Sequence, residues 1–387
     1  MIERRLAKTL RKRACEFPVV TLTGPRQSGK TTLVRACFPD YGYANLEDPE
    51  TRELAETDYR RFFELHPAPL VIDEIQRVPK LASAIQVAVD ERRGVPGQYI
   101  LTGSHQPLLR QTVTQSLAGR SAFLRLLPLS LQEQREALSA RERSADALIL
   151  RGGMPELVAS GRAPDVYYRA YLQSYLERDV RLLAEIRHAS AFNRFLVLLA
   201  GRVGQLLNLE SMSGEVGVSH TTLAAWLDVL EASFIVFRLR PWFAKIPKRL
   251  VKTPKIYFSE TGLAARLLGL RTPEQVSRDP LRGHLFENLV VSDFVKESFN
   301  RDDADDLFFF RTSDGLEIDL VRDRPEGLQP IEIKSSQTWS DSLAEGLSAF
   351  RKIFPDCIDP VLVYAGRNLP ASSPSRAVNF LDAAAQI

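Results

Sequence analysis

Short apolar runs, each closed by polar or glycine-rich residues, alternate with amphipathic stretches along the first third of the chain. Val19-Val20-Thr21-Leu22-Thr23, Leu70-Val71-Ile72 and Tyr99-Ile100-Leu101-Thr102 are brief, apolar and rich in β-branched residues, and they read as buried strands. Thr32 to Phe38 reads as a helix. Val166 to Ile186 reads as another, with an apolar face of Tyr168, Tyr171, Leu172, Tyr175 and Leu176. Glu210 to Val216 predicts a short helix with Met212 and Val216 inward. Gly217-Val218-Ser219 then makes a tight turn with Ser219 as N-cap. His220 to Ala232 predicts a second helix with Leu223, Leu227 and Leu230 inward, and Phe234 to Phe237 a strand. In the last hundred residues a helix is expected around Leu281 to Val291. Strands are expected at Leu307–Arg311, Leu316–Val321 and Pro330–Lys334. The mixture is that of an α/β, multidomain protein.

At 387 residues the chain is long for one core, so two or three domains are expected. Hydrophobic content of 44% and charged content of 26% fit a soluble globular protein. A net charge of +3 gives no bulk argument for nucleic acid, so any such argument must be local. Cys15, Cys37 and Cys357 lie far apart, without metal or redox spacing, which suits a reducing cytosol. The amino-terminal thirteen residues are basic, but no apolar run follows them before the first strand, so a secretory signal is not expected. No stretch of about 18 apolar residues occurs, and a cytoplasmic location without a membrane span is expected.

Gly24-Pro25-Arg26-Gln27-Ser28-Gly29-Lys30-Thr31 fills every fixed position of the pattern G-x-x-x-x-G-K-[ST], between a strand and a helix. Glycines in such a loop let backbone N–H groups turn inward around phosphate oxygens, and the helix end adds positive potential. Lys30 would reach the outer phosphates of ATP, Thr31 would ligate Mg2+, and Thr32 completes the loop. Asp73 and Glu74 end the second apolar run. Asp73 is expected at the metal, and Glu74 as the carboxylate that orients the attacking water. At the end of the third run Ser104, or else Thr102, would contact the γ-phosphate or that water. Arg120 is a candidate finger, acting in cis or from a neighbouring subunit.

The segments TGPRQSGKTTL, LVIDEIQ, YILTGSH and LAGR, in this order, resemble the AAA-type ATPases of bacteria and archaea that carry a poorly characterised carboxyl-terminal region. The likeness continues at Arg151-Gly-Gly-Met-Pro155, Tyr175-Leu-Glu-Arg-Asp179, Pro254-Lys-Ile-Tyr257 and Gly283-His-Leu-Phe-Glu287, and so covers most of the chain. One departure stands at Glu260, where that family often has Asp before Thr-Gly-Leu.

Helix, glycine turn, helix and strand from residue 208 to 237 form a winged helix-turn-helix pattern, with His220, Thr221, Thr222 and Trp226 on the groove-facing side. Between Arg238 and Lys255 stand seven basic residues and no acid: Arg238, Arg240, Lys245, Lys248, Arg249, Lys252 and Lys255. Such a run suits phosphate contact with DNA, although basic loops also serve as solvated surface. In the last strands Glu332 and Lys334 share a face, with Asp319 in the preceding strand and Glu287 in the helix before it. This constellation resembles the PD-(D/E)xK nuclease fold. Asp319, Glu332 and Glu287 would hold Mg2+, and Lys334 would activate a water or stabilise the pentavalent phosphate. The alternative is a degenerate nuclease fold used for docking.

The expected organisation is an ATPase core at 1–135, a helical lid at 136–205, a winged helix at 206–275 and a nuclease-like domain at 276–387. The expected activity is Mg2+-dependent ATP hydrolysis coupled to a DNA-handling step. ATP, DNA and further copies of the chain are the expected partners. A nucleotide-dependent adaptor that binds a protein partner is the alternative.

Overall fold

The computed structural model describes residues 2–104, 116–174, 188–242, 251–303, 306–372 and 375–387. It divides into two compact units. The first holds Met1–Pro128 with Ala232–Phe234 and Phe299–Asp302. The second holds Leu129–Glu231, Ile235–Ser298 and Asp303–Ile387.

The first unit is a five-stranded sheet in the order β2-β3-β4-β1-β5. Its strands are β1 (Val19–Thr23), β2 (Gly42–Asn45), β3 (Leu70–Asp73), β4 (Tyr99–Gly103) and β5 (Ser121–Arg125), and every neighbouring pair is parallel. Both faces are covered, which is why the strands read as continuous apolar runs. Leu70, Ile72, Tyr99 and Leu101 face a core completed by Phe62, Ile85 and Val89. Their alternates Val71, Ile100, Val20 and Leu22 face a second core with Leu6, Leu10, Leu33 and Val34. Strand β5, sequence SAFLR, alternates buried with more exposed positions and borders the sheet.

In the second unit, helices Leu209–Val216 and His220–Ala232 flank a turn at Gly217, and Ser219 caps the second through the Thr222 N–H at 3.1 Å. The following strand starts later than expected. The Ile235 N–H returns to the Leu230 carbonyl at 2.9 Å and Phe234 turns at φ +58°, so β6 spans Val236–Leu239. Its antiparallel partner β7 is Lys255–Phe258. Helix Pro164–Tyr171 realises the first part of the expected 166–186 helix, and residues 175–187 lie outside the described residues. A six-stranded sheet, order β12-β13-β11-β10-β9-β8, completes this unit. It comprises β8 (Leu307–Arg311), β9 (Glu317–Arg324), β10 (Gly327–Lys334), β11 (Val361–Tyr364), β12 (Leu369–Ser372) and β13 (Ser375–Asn379). β8, β9 and β10 run antiparallel, and β10, β11 and β13 parallel. Helix Arg282–Arg301 precedes it and is about twice the length expected. No described helix is long and apolar enough to cross a membrane.

The Arg151-Gly-Gly motif and Glu260 explain each other. Glu260 is buried, and its carboxylate accepts the Gly153 N–H at 2.8 Å. Gly152 sits at φ +68°, and a Cβ there would lie 2.0 Å from Glu260 Oε1. The Tyr168 hydroxyl donates to the Arg151 carbonyl at 2.9 Å on the same side. Gly152→Ala therefore combines a backbone conformation hostile to L side chains with a clash, and should cost about 3 kcal/mol. Thermal denaturation measures it. Gly201→Ala, whose new methyl meets open space, should melt close to wild type.

Candidate functional site

Between β1 and helix Lys30–Cys37 the backbone folds into a hollow. Gly24 lies at φ +155°, and a Cβ there would sit 2.1 Å from the Leu126 carbonyl oxygen, so the loop closes against the exit of β5 only with glycine. The helix begins directly after Gly29, so its first-turn N–H groups and partial positive charge face that hollow. Lys30 is buried, its ammonium 3.0 Å from the Gly24 carbonyl and 2.9 Å from that of Pro25. Burial pushes this amine down to about 8, opposed by Glu74 and Asp73. The Ser28 hydroxyl is buried without a hydrogen-bond partner among the described residues, whereas Gln27 and Thr32 are exposed. Arg4 supports the loop from behind, donating to the carbonyls of Ser28 at 2.6 Å and Leu127 at 2.7 Å.

Asp73, at the end of β3, is almost fully buried. Its Oδ2 accepts from the Thr31 hydroxyl at 2.7 Å and from the Tyr43 hydroxyl at 2.8 Å, while Oδ1 accepts from Thr102. Glu74 follows at φ +57°, a left-handed conformation rare for a non-glycine residue. Ser104 donates to its carboxylate at 2.8 Å, and the Gln76 amide donates to Oε2. Both residues proposed for the end of β4 are thus placed here, Thr102 on Asp73 and Ser104 on Glu74. Tyr43 and Arg4 were not foreseen. The donor set fits a phosphate chain and a small divalent cation. The ammonium, the helix end and the Ser28 hydroxyl match anionic oxygens, and Thr31 and Asp73 offer hard oxygen ligands.

Arg120 is not brought to this site. Its carbonyl accepts from the Val19 N–H at 3.2 Å, which places it at the amino-terminal edge of the sheet, opposite the loop. Its guanidinium forks onto Asp90 at 2.8 and 2.9 Å. An in-cis finger is therefore excluded, because β5 begins immediately after Arg120 and leads away from it toward the loop.

In the second unit Glu287, Asp319, Glu332 and Lys334 do come together, with added members. Lys334 Nζ lies 2.5 Å from Glu332 Oε1 and 3.7 Å from Asp319 Oδ2. Lys255, on β7, lies 2.8 Å from Glu287 Oε1 and 2.5 Å from Glu317 Oε1. The Tyr257 hydroxyl donates to Glu287 Oε1 at 2.5 Å. Burial and mutual repulsion raise the Asp319 and Glu332 carboxyls. Burial would raise Glu287 too, but Lys255, His284 and Tyr257 hold it below the usual carboxylate range. Among the described residues no group of three or more acidic, histidine or cysteine side chains is arranged to hold a metal. Ammonium groups stand between Asp319, Glu332 and Glu287, the residues expected to hold Mg2+. Lys255, Tyr257 and Glu317 were missed, although Glu317-x-Asp319 and Lys255-x-Tyr257 each carry strand periodicity.

Of the candidate DNA contacts, Thr221 is exposed and Thr222 half-buried at the start of helix His220–Ala232, and Lys252 is exposed. Lys245, Lys248 and Arg249 lie outside the described residues. Trp226 corrects the groove-facing expectation: it is buried edge-on against Phe192, with ring centroids 5.5 Å apart, because it continues the inward stripe of Leu223, Leu227 and Leu230. Arg238 is paired with Glu231 and Asp228.

The depressed Lys30 amine has a consequence for stability. The folded state sheds the proton near pH 8, whereas the unfolded chain keeps it to 10.5. The cost of the buried charge is full below pH 8 and fades as pH rises from 8 toward 10.5. Without nucleotide, Lys30→Met should therefore gain stability relative to wild type at pH 7, by up to about 3 kcal/mol, and lose that advantage toward pH 10. Urea midpoints of both proteins across this range test it.

An AAA domain family matches residues 16–134. A domain of unknown function (DUF8612) matches residues 142–274, and another (DUF4143) residues 282–380. An uncharacterized protein of Mycobacterium tuberculosis is 34% identical over 351 residues, covering 88% of this chain and 76% of its own length, and one of Mycobacterium bovis matches equally. An uncharacterized protein of Haemophilus influenzae is 23% identical over 372 residues, covering 87% of this chain and 88% of its own. Among solved structures, a Walker-type ATPase of Pyrococcus abyssi covers 69% of this chain and 96% of its own, at 16% identity and a TM-score of 0.44. The chain belongs to the family of these mycobacterial proteins, and in it an AAA domain of the P-loop ATPase type is followed by two domains of unknown function.

Proposed function

We propose that this protein binds ATP with Mg2+ at the Gly24–Thr31 loop, hydrolyses it, and uses the turnover in a DNA-handling step in the cytoplasm. One observation carries the hydrolytic reading: the end of β3 presents two carboxylates in different settings. Asp73 is tied to Thr31, and Glu74 is held by Ser104 in a conformation it would not adopt freely. Lys30 and the helix amino end would hold the outer phosphates, and Thr31 with Asp73 would hold the ion. When bound, the ion supplies charge neutralisation at the phosphates. Glu74 would orient the water and accept its proton, while Ser104 and Gln76 fix the carboxylate's direction.

The DNA part rests on the helix-turn-helix with Thr221 and Thr222, and on the basic arm of Lys245, Lys248, Arg249 and Lys252. We divide the chain for this purpose into the core at 1–135, a helical lid at 136–205, a winged helix at 206–275 and a nuclease-like domain at 276–387. Self-association remains part of this proposal. A second reading is a nucleotide-dependent switch that binds a protein partner, its nuclease-like domain a non-cleaving dock. The insertion of Lys255 among the carboxylates favours the dock over cleavage by Glu287, Asp319, Glu332 and Lys334.

Glu74→Gln should keep ATP-induced thermal stabilisation and lose on the order of 100-fold or more in phosphate release. Lys30→Ala should lose both. Unchanged phosphate release in the two variants would remove the site assignment. For the DNA step, neutralising Lys248, Arg249 and Lys252 together should weaken DNA binding and lower its salt slope by up to about 3. Fast DNA-stimulated hydrolysis in wild type would argue against the switch reading, and DNA binding indifferent to these basic residues and to salt would argue for it.

A further inference from the structure

Lys255 is brought to the carboxylates from outside the nuclease-like sheet. It starts β7, belongs to the ribbon that follows the helix-turn-helix, and is only 2% exposed. A charge that far from water must be paired. It meets Glu287 Oε1 at 2.8 Å, Glu317 Oε1 at 2.5 Å and Asp319 Oδ1 at 3.9 Å, with the Phe309 ring 5.6 Å away. Tyr257, two residues along the same strand face, donates to the same Glu287 oxygen. The remaining carboxylate oxygens are largely engaged. Arg311 takes Glu317 Oε2 at 2.7 Å, and the Ile333 N–H takes Asp319 Oδ2 at 2.8 Å.

The charges also nearly balance. Four carboxylates (Glu287, Glu317, Asp319 and Glu332) face three cations (Lys255, Lys334 and Arg311). A divalent ion added to this set would reverse its sign. Among these oxygens only Glu332 Oε2 is buried without a partner. Mg2+ needs no more than one or two carboxylates with water, so what opposes it here is the ammonium groups already seated between the acids.

We infer that the Lys255 ammonium, and not a divalent metal, is the resident cation of this cluster, which makes it a clasp between the β6–β7 ribbon and the carboxyl-terminal sheet. The neighbouring backbone repeats the arrangement. The Phe309 N–H donates to the Arg240 carbonyl at 3.1 Å, the Trp242 N–H to the Phe309 carbonyl at 2.7 Å, and the Val251 N–H to the Arg311 carbonyl at 3.2 Å. Both arms of the ribbon thus cover β8, the edge strand, whose free hydrogen-bonding groups would otherwise be open. The inference stands on this cluster alone and does not depend on ATP hydrolysis.

The test uses the full chain without nucleotide. Lys255→Met leaves the carboxylates without their counterion and should lower Tm by roughly 6–15 °C. Lys255→Met with Glu287→Gln removes one charge of each sign and should recover at least half of that loss. If the single variant does not fold, the folding and Tm of the double variant decide. Mn2+ uptake, measured by titration calorimetry, should be the same in wild type and in Glu332→Gln. A Lys255→Met protein that melts like wild type, or a double variant no better than the single one, overturns the clasp. So does Mn2+ binding in wild type that Asp319→Asn or Glu332→Gln abolishes.

Discussion

Asp73 is the group around which the candidate site of the first unit is arranged. A carboxylate almost out of water must be satisfied by its neighbours. Here three hydroxyls do so from three different elements: Thr31 from the helix after the loop, Tyr43 from β2 and Thr102 from β4. The strand order makes this convergence available, since β4 lies between β1 and β3 and brings Thr102 beside the acid. Holding Asp73 in place also aims Thr31 and sets the direction in which the chain must turn at Glu74. The depressed Lys30 amine is part of the same arrangement, because the two acids oppose what burial imposes on it.

The parts of this site that were legible in the sequence are those whose residue type is dictated locally. A loop that wraps phosphate needs glycines at fixed places, and a buried strand ending in two acids leaves few other readings. Tyr43 and Arg4 lacked such a signature. Tyr43 is one tyrosine in a short edge strand, and the carbonyls that Arg4 holds lie 24 and 123 residues away. Arg120 falls at the other end of the sheet because the run Ala122-Phe123-Leu124 that follows it, only three apolar residues long, does not stand out as a strand. Without that strand, nothing in the sequence fixed which edge the arginine would reach. Trp226 differs from expectation because it falls at helical spacing with the inward leucines Leu223, Leu227 and Leu230 and packs with them.

The basic run from Arg238 to Lys255 has a similar lesson. It contains no acid in sequence, yet the fold supplies acids from elsewhere. Helix His220–Ala232 gives Asp228 and Glu231 to Arg238, and the carboxyl-terminal unit surrounds Lys255 with carboxylates. Arg240 lies over the Phe308 ring at 6.0 Å. Formal charge along a chain counts groups, whereas binding to a polyanion depends on those left facing solvent. Lys252 is the described member of the run that meets that condition without an assigned internal role.

The left-handed backbone at Glu74 also carries a conformational cost. An L side chain at φ +57° gives up roughly 1 kcal/mol relative to ordinary backbone, so the turn is held by its surroundings: Asp73, fixed by three hydroxyls before it, and the contacts of Ser104 and Gln76 to its carboxylate. Loosening those contacts would let the end of β3 relax, and the carboxylate would move with its backbone.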